Sequence, residues 1–192
     1  MIMEFNVAQL MKELVGAKRS YEFGTPTLVL SARLSDDTGE LLAHDVHGTI
    51  QLTRLRHQLR ATGHVSAKVD LECGRCLEDF AAEVEAPLEE LFRQTVDVVS
   101  GMPVAAEDGE DEDDAFPIDH NHIVDLTEPV RQALLVALPM QPLCRVDCRG
   151  LCPVCGTNLN ESQCDCVVDD LDPRLSALAS LLSEEDPGAG PA

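Results

Sequence analysis

The chain has 192 residues, of which 44% are hydrophobic, enough for one domain of moderate size or for a domain with an appendage. Because it contains five Phe, one Tyr and no Trp, its core must be aliphatic. Lys and Arg number 14 against 35 Asp and Glu, and the net charge of −21 repels phosphate backbones and favours a basic partner over bare nucleic acid.

The N-terminal stretch does not read as a secretory signal, because Glu4 stands where positive charge is needed and polar residues interrupt the apolar stretch. The longest late apolar run, residues 133–140, is too short to cross a bilayer. The sequence therefore predicts a cytoplasmic protein with no membrane partner. Thiols in that compartment stay reduced, so clustered cysteines indicate metal binding or redox catalysis rather than disulfides.

The first predicted element is a short amphipathic helix over residues 6–15, capped by Asn6 and ended by Gly16. Its apolar face is formed by Leu10, Met11, Leu14 and Val15. The hydrophobic period then changes to two, which predicts a strand over residues 28–34 and a turn at “DDTG”. A further strand is predicted over residues 46–55, with a slip in register near Thr53–Arg54.

The strongest strand pattern runs over residues 59–71, where apolar and polar side chains alternate for thirteen positions. A second alternating run covers residues 80–88. The two runs are joined by “ECGRCLED”, so they predict an antiparallel hairpin with Cys73 and Cys76 at its tip.

The acidic segment 100–115 predicts a flexible linker, since seven of the eight residues from 107 to 114 are acidic. A helix over about 128–138 follows, capped by Thr127 with Pro129 in its first turn. After the cysteine-rich stretch, a short terminal helix is predicted over residues 172–183.

These elements predict an α+β fold, with an antiparallel β domain (a sheet or a partly open barrel), short helices and a C-terminal cysteine-rich metal-binding appendage. The expected division is a β domain over 1–99 and the linker over 100–115. A helix, the cysteine-rich segment and the terminal helix then occupy 116–183, and a disordered tail occupies 184–192.

Eight cysteines are the candidate metal ligands: Cys73, Cys76, Cys144, Cys148, Cys152, Cys155, Cys164 and Cys166. Zn²⁺ binds four thiolates in a tetrahedron, and a C-x2-C turn presents two sulfurs from one short stretch of backbone. “CPVCG” and “CGRC” both have that form, and Gly156 permits the left-handed residue that such a turn requires. Eight thiols are enough for two closed sites, so we expect one or two Zn²⁺ per chain.

The spacing favours one particular pairing of the thiols. One site would hold Cys152, Cys155, Cys164 and Cys166, which close within 15 residues. The other would hold Cys73, Cys76, Cys144 and Cys148, and three neighbouring cations would offset its charge: Arg75, Arg145 and Arg149. A swap between the sets, or a site built from four to six of the cysteines, also fits the spacing.

Other readings of the thiols fit less well. A dithiol oxidoreductase needs its first thiol at a helix N-terminus after a strand, whereas “CGRC” joins two antiparallel strands. A rubredoxin-like iron site is disfavoured by the long separation of the two knuckles and by the lack of aromatic residues.

No hydrolytic constellation is found, since the sequence has neither H-E-x-x-H nor G-x-S-x-G, and no Gly-rich loop opens a helix after a strand. His120 and His122 alternate on a predicted strand beside Asp119. They could join a metal site, but a solvated edge is the favoured interpretation. We therefore expect no enzyme and no small-molecule substrate.

A mildly basic stretch lies within residues 44–75 of this acidic chain. It supplies the candidate contacts to RNA or to an acidic partner: Arg54, Arg56, Arg60, Lys68 and Arg75. An ordinary solvated sheet face accounts for the same residues.

The segments “DLTEPVRQALLVALPMQPLC”, “CRGLCPVCGTNLN” and “DPRLSALASLL” carry a family likeness. With the upstream C-x-x-C hairpin and the acidic middle, the chain resembles over nearly its whole length the YceD family. These are bacterial and plastid proteins linked to accumulation of large-subunit ribosomal RNA. The resemblance implies a non-enzymatic role in biogenesis of the large ribosomal subunit, with the cysteines as metal ligands and no catalytic residues.

Together, the charge and the resemblance predict a zinc-stabilised adaptor whose direct partner is a basic ribosomal protein or a precursor of the large subunit. Direct binding of rRNA through the basic sheet face is the alternative, and a C-x-x-C dithiol oxidoreductase is the third.

Overall fold

The computed structural model describes residues 3–31, 41–104 and 115–166. The predicted “DDTG” turn, most of the acidic linker, the terminal helix over 172–183 and the tail over 184–192 lie outside the described residues. The chain forms two compact units, one comprising residues 1–74 and 78–146, the other residues 75–77 and 147–192.

The first unit contains seven strands and two helices among its described residues. In chain order they are β1 (Glu4–Asn6), α1 (Ala8–Lys12), β2 (Lys18–Ser31), β3 (Leu41–Arg54), β4 (Gln58–Glu72), β5 (Asp79–Gln94), β6 (Phe116–Ile118), β7 (Ile123–Asp125) and α2 (Thr127–Ala137). Five strands form a curled, half-barrel sheet in the order β2-β3-β4-β5-β6, and β1 pairs with β7. The predicted β domain with few short helices is confirmed, although β6 joins β5 in parallel and makes the sheet mixed.

The long central hairpin is present where the alternation predicts it. β4 and β5 pair without a break from Gln58 opposite Arg93 to Glu72 opposite Asp79. The inward side chains are buried, namely Leu59, Ala61, Val65, Ala67 and Val69 on β4 and Val84, Ala86 and Leu88 on β5. Helix α2 adds Val130 and Leu134 to the same core, so one helix face and one sheet face exclude water together.

Two glycines allow neighbouring strands of the sheet to approach each other closely. Gly48 on β3 and Gly63 on β4 lie where the strands approach each other too closely for a side chain. A Cβ on Gly63 would lie 2.0 Å from the carbonyl oxygen of Thr49, and a Cβ on Gly48 would lie 2.3 Å from that of His64. Because both obstacles are main-chain atoms, neither position accepts a larger residue without moving a strand.

Two sequence predictions for the early strands require correction. The slip in register lies between His44 and His47 rather than near Thr53–Arg54, and Asp45 there has φ of 51°. This bulge shifts the alternation, so that Ala43 and Val46 both face the core. β2 also begins ten residues earlier than predicted, at Lys18, because it pairs with the full length of β3.

The N-terminal helix is shorter than predicted. α1 has only five residues, and Asn6 accepts a hydrogen bond from the Ala8 N–H at 3.1 Å although Val7 is the capping position. Leu10 and Met11 are buried, whereas Leu14 is 87% exposed because the helix ends before it.

The segment around His120 and His122 is a turn between β6 and β7, not a strand. The carboxylate of Asp119 holds it by accepting hydrogen bonds from the backbone N–H groups of Asn121 and Ile123, at 2.9 and 2.6 Å. Burial by itself would raise the pKa of Asp119, but the hydrogen bonds from the Ile123 and Asn121 N–H groups together outweigh this effect, and the pKa is lowered. The turn connects β6 to β7. Among the described residues, His120 and His122 are not part of any cluster of side chains that could hold a metal ion.

Helix α2 matches its prediction in extent, but Leu126, not Thr127, is its capping residue. The side chain of Asp125 instead accepts a hydrogen bond from the Thr127 N–H at 2.8 Å. Arg131 connects the helix to β2 by donating to the carbonyl oxygen of Leu30 at 2.8 Å. Within the described part of the chain, no helix is long and apolar enough to cross a membrane.

Candidate metal centre

The described part of the second unit has no core of its own beyond its cysteines. None of residues 75–77 and 147–166 belongs to the apolar core cluster, and the buried side chains there are those of Cys76, Cys148 and Cys152. Its regular pairing, in the described residues, is a single bridge between Leu151 and Asn158. Burial of aliphatic surface therefore cannot account for the order of this stretch.

The “CPVCG” knuckle has the conformation that its sequence predicts. Gly156 has φ of 73°, and its N–H donates to the carbonyl oxygen of Cys152 at 2.9 Å. The Val154 N–H donates to Cys152 Sγ at 3.4 Å, so a backbone amide already faces the sulfur. This geometry stabilises a thiolate and is the geometry of metal-binding knuckles.

The structure brings all eight cysteines into two groups of four. One group is Cys152, Cys155, Cys164 and Cys166, and the other is Cys73, Cys76, Cys144 and Cys148. In each group the four sulfurs lie within 4.8 Å of one another. Tetrahedral Zn–S bonds of about 2.3 Å place sulfurs about 3.8 Å apart, so both groups fit a four-thiolate site after a small contraction. These are the two sets that the spacing favours, and each could hold a metal ion.

The thiols of the Cys152 group differ sharply in acidity. The hydrogen bond between Cys155 Sγ and Thr157 Oγ1, at 3.1 Å, lowers the pKa of Cys155 to about 6. The hydrogen bond with Cys155 and burial raise the pKa of Cys166 to about 12. Four sulfurs this close repel one another when ionised, so all four become thiolates only when a cation neutralises them.

The other group is built on the tip of the β4–β5 hairpin and on the segment after α2. Cys73 follows β4, and its N–H donates to the carbonyl oxygen of Glu78 at 2.9 Å, which closes the turn. The Gly74 N–H donates to the carbonyl oxygen of Pro142 at 2.8 Å, just before Cys144. Three of its four cysteines are buried, whereas Cys155 in the Cys152 group is exposed.

Cys148 is held by two side chains outside the ligand set. Arg75 Nη1 donates to its carbonyl oxygen at 2.9 Å, and Asn160 Nδ2 donates to its Sγ at 3.3 Å. Asn160 Oδ1 also accepts from the Arg149 N–H at 2.9 Å. Sequence reasoning missed Asn160 because an isolated asparagine in a polar loop carries no distinctive signal. Its place in the loop between Cys155 and Cys164 was the available clue.

The five candidate basic contacts do not share one surface. Arg60 and Lys68 lie on the outer face of β4, but eight residues of strand place them about 26 Å apart. Lys68 Nζ pairs with Asp45 at 3.2 Å. Arg54 lies opposite the buried Leu59 with its Nε atom buried. The other two lie in turns: Arg56 follows β3, and the side chain of Arg75 is bonded to Cys148.

The neighbouring strand makes that outer face acidic. On β5 the exposed residues opposite Lys68, Ser66 and Thr62 are Glu83, Glu85 and Glu89. We call these three glutamates the β5 acidic row. An RNA backbone laid along β4 would meet this row one strand away, which opposes the attraction of Arg60 and Lys68.

Fold and site together define a β protein whose cysteines form two groups able to hold metal ions. The profile of the family described as large ribosomal RNA subunit accumulation protein YceD matches residues 61–182, more than half of the chain. The chain belongs to the YceD family, and the resemblance seen in its sequence is confirmed.

Several relatives are similar to the chain. An uncharacterised protein of Mycobacterium tuberculosis is 33% identical over 149 residues, covering 78% of this chain and 66% of the relative. The chloroplastic large ribosomal RNA subunit accumulation protein YCED homolog 1 of Zea mays is 30% identical, covering 72% of this chain and 54% of the relative. The uncharacterised protein YlbN of Bacillus subtilis is 27% identical, with coverages of 88% and 92%. No solved structure matches the chain.

Proposed function

We propose that this protein is a non-catalytic, zinc-binding factor that supports accumulation of large-subunit rRNA in the cytoplasm, and that it acts as an adaptor to basic ribosomal proteins. Membership of the YceD family supports a role in accumulation of large-subunit rRNA, and the name of the Zea mays relative states the same role. The observation that supports the adaptor role is the distribution of charge. The chain has a net charge of −21, and the β5 acidic row lies beside the exposed cations of β4, so the protein attracts a basic partner more than RNA.

Zinc is supported by the chemistry of the donor sets. Each group offers four sulfurs and leaves no position for a substrate or water, which is the composition of structural rather than catalytic zinc sites. The ligand residues would be the eight cysteines, and the metal would supply folding energy to the second unit. Both groups are equally complete, so the proposal is two Zn²⁺ per chain.

The absence of catalysis is supported by the position of the C-x-x-C pair. Cys73 and Cys76 lie at the tip of a β hairpin rather than at a helix N-terminus, so no helix dipole is directed at an attacking thiol to activate it. Both are buried and grouped with Cys144 and Cys148. A dithiol oxidoreductase needs an accessible nucleophilic thiol, and this pair does not provide one.

The adaptor role can be tested with two charge-reversed variants of equal size. Glu85→Lys with Glu89→Lys inverts most of the β5 acidic row, while Arg60→Glu with Lys68→Glu inverts the basic candidates. A control for net charge is Glu4→Lys with Glu22→Lys, which changes exposed acids on β1 and β2. Purified variants are assayed for capture of large-subunit proteins and, separately, of large-subunit rRNA over a range of salt concentrations.

We expect the Glu85/Glu89 variant to lose capture of basic proteins at least tenfold, and the Arg60/Lys68 variant to retain it. The adaptor role is wrong if the Arg60/Lys68 variant loses rRNA binding while every variant captures ribosomal proteins equally. That result would establish direct rRNA binding instead. If a strain that lacks the protein keeps a normal level of large-subunit rRNA, the proposed role in accumulation of that rRNA is wrong.

A further inference from the structure

Cys148 is fixed at three points by groups from its own unit. Arg75 binds its carbonyl oxygen, Asn160 Oδ1 binds the N–H of the next residue, Arg149, and Asn160 Nδ2 reaches the sulfur itself. One asparagine side chain thus determines both the backbone position and the sulfur environment of a single ligand. In metal sites, such outer groups orient the ligand and stabilise its charge when the metal is bound.

The backbone that carries Asn160 belongs to the other thiol group. Asn160 lies between Cys155 and Cys164, inside the loop that the Cys152 group closes. Asn158 shapes this loop, because its Oδ1 accepts from the Asn160 N–H at 3.0 Å and its carbonyl oxygen accepts from the Ser162 N–H at 3.1 Å. The Leu159 N–H donates to the carbonyl oxygen of Gly150 at 2.9 Å, which joins the loop to the residue between Cys148 and Cys152.

The described loop has no apolar core to hold that geometry. A metal bound by Cys152, Cys155, Cys164 and Cys166 would fix both ends of the loop and so would hold the Asn160 amide where it donates to Cys148 Sγ. A ligand that is already oriented loses less conformational entropy when its own metal binds. Filling one group would therefore make the other group bind its metal more tightly.

We infer that Asn160 is a positioning residue that couples the two metal sites, so that metal in the Cys152 group raises the affinity of the Cys73 group. This inference rests on the proposed metal-binding function and adds a regulation of that function. Coupling of binding free energies is reciprocal, so metal in the Cys73 group raises the affinity of the Cys152 group by the same factor. The two cysteine groups then bind metal cooperatively, so most molecules hold either two metal ions or none.

The test uses the full chain, reconstituted with Zn²⁺ against a chromophoric chelator and with Cd²⁺ for NMR. Asn160→Asp keeps the shape and the Oδ1 acceptor but replaces the donor facing Cys148 Sγ with a carboxylate oxygen. Gln163→Glu is the matched control, because it adds the same charge to the same loop through an exposed side chain. Cys155→Ser with Cys166→Ser removes the Cys152 group and identifies which affinity and which Cd²⁺ resonance belong to each group.

We expect Asn160→Asp to weaken Zn²⁺ binding at the Cys73 group about 10- to 100-fold and to shift its Cd²⁺ resonance, while Gln163→Glu changes neither. Loss of the Cys152 group should weaken the Cys73 group by a similar factor, and adding Asn160→Asp to that variant should cause less than a threefold further loss.

Two results would overturn the inference. One is an Asn160→Asp chain that binds two Zn²⁺ with unchanged affinities. The other is an Asn160→Asp effect of the same size with and without the Cys152 group, because Asn160 would then act alone. If the unaltered chain binds neither Zn²⁺ nor Cd²⁺, the proposed metal-binding function is wrong as well. The unaltered chain distinguishes this outcome from the two results above, because in both of those it still binds metal.

Discussion

Removal of the metal should unfold the second unit and leave the sheet intact. The two units differ in what holds them, because the sheet has a continuous aliphatic core and the described residues 147–166 have none beyond their cysteines. A four-thiolate zinc site contributes on the order of 10 kcal/mol of apparent folding free energy near neutral pH. Because about 1.4 kcal/mol corresponds to a tenfold change in an equilibrium constant, losing one site lowers the ratio of folded to unfolded molecules for this stretch by about seven orders of magnitude.

Hydrogen exchange measured by mass spectrometry, before and after addition of a strong chelator, checks this expectation residue by residue. The informative amides are those whose hydrogen bonds depend on the knuckle, such as Gly156 donating to Cys152 and Leu159 donating to Gly150. We expect them to exchange at the rate of an unfolded chain once the metal is removed. Amides in the centre of the β4–β5 ladder should keep their protection, with losses only near Cys73 and Cys76.

Either of two outcomes refutes the reasoning. If both regions lose protection together, metal holds the whole fold and the sheet is not self-sufficient. If neither region changes while the chelator demonstrably removes metal, the thiols do not supply the folding energy. A chain with Cys155→Ser and Cys164→Ser, examined without chelator, controls for direct effects of the chelator on the sheet.

Three further predictions concern the sheet and its helices. Gly63→Ala places a Cβ 2.0 Å from a main-chain oxygen, so we expect it to lower the free energy of unfolding, measured by urea denaturation, by about 3 kcal/mol or more. A loss below about 1 kcal/mol would contradict the close approach of the two strands. Leu10→Ala should lower the free energy of unfolding by about 2 to 5 kcal/mol because Leu10 is fully buried. Leu14→Ala should change it by no more than about 0.5 kcal/mol because Leu14 is exposed. Equal losses for the two variants would indicate that the helix extends to Leu14, as the sequence predicts. The hydrogen bond from Arg131 lowers the pKa of Glu128 from its usual 4.5 to about 2, so this half-exposed pair stabilises the fold above pH 4.5 and the stabilisation disappears as pH falls through about 2. Glu128→Gln should therefore cost about 0.5 kcal/mol at pH 7 and nothing near pH 2, and a cost that does not change with pH would exclude the ion pair as its origin.

The sequence predicts the central hairpin because one face of each strand is apolar and the other polar over its whole length. In such a pair a shift of one residue would expose the entire core face, so the register follows from the pattern alone. Leu59, Ala61 and Val65 are buried as that argument requires. The Cys152 group follows similarly from short-range spacing, since its four thiols within 15 residues can reach one another with little constraint from the rest of the chain, and the Cys73 group is then the set of four thiols that remain.

Other features depend on partners distant in sequence and could not be predicted. The bulge at Asp45 becomes visible only when β3 is aligned with β4, and β6 and β7 are too short to show any periodicity. The exposure of Leu14 follows from where α1 ends, which is set by its surroundings rather than by local spacing. Asn160 becomes significant only when its amide is seen beside Cys148 Sγ.

Arg75 shows why the candidate RNA contacts cannot be tested as one set. By charge alone it belongs with Arg60 and Lys68, and reversing all three would be a natural test of RNA binding. Its guanidinium, however, donates to the carbonyl oxygen of Cys148, and its own carbonyl oxygen accepts from the Leu151 N–H at 3.1 Å. Gly150, with φ of 75°, lets that backbone pass close to Arg75. Replacing Arg75 would thus release a candidate metal ligand and remove a charge at once, so a loss of rRNA binding in that variant would say nothing about contact with RNA. Arg60 and Lys68 have no such contact with the cysteine groups among the described interactions, so variants of these two residues separate recognition of RNA from integrity of the candidate metal centre.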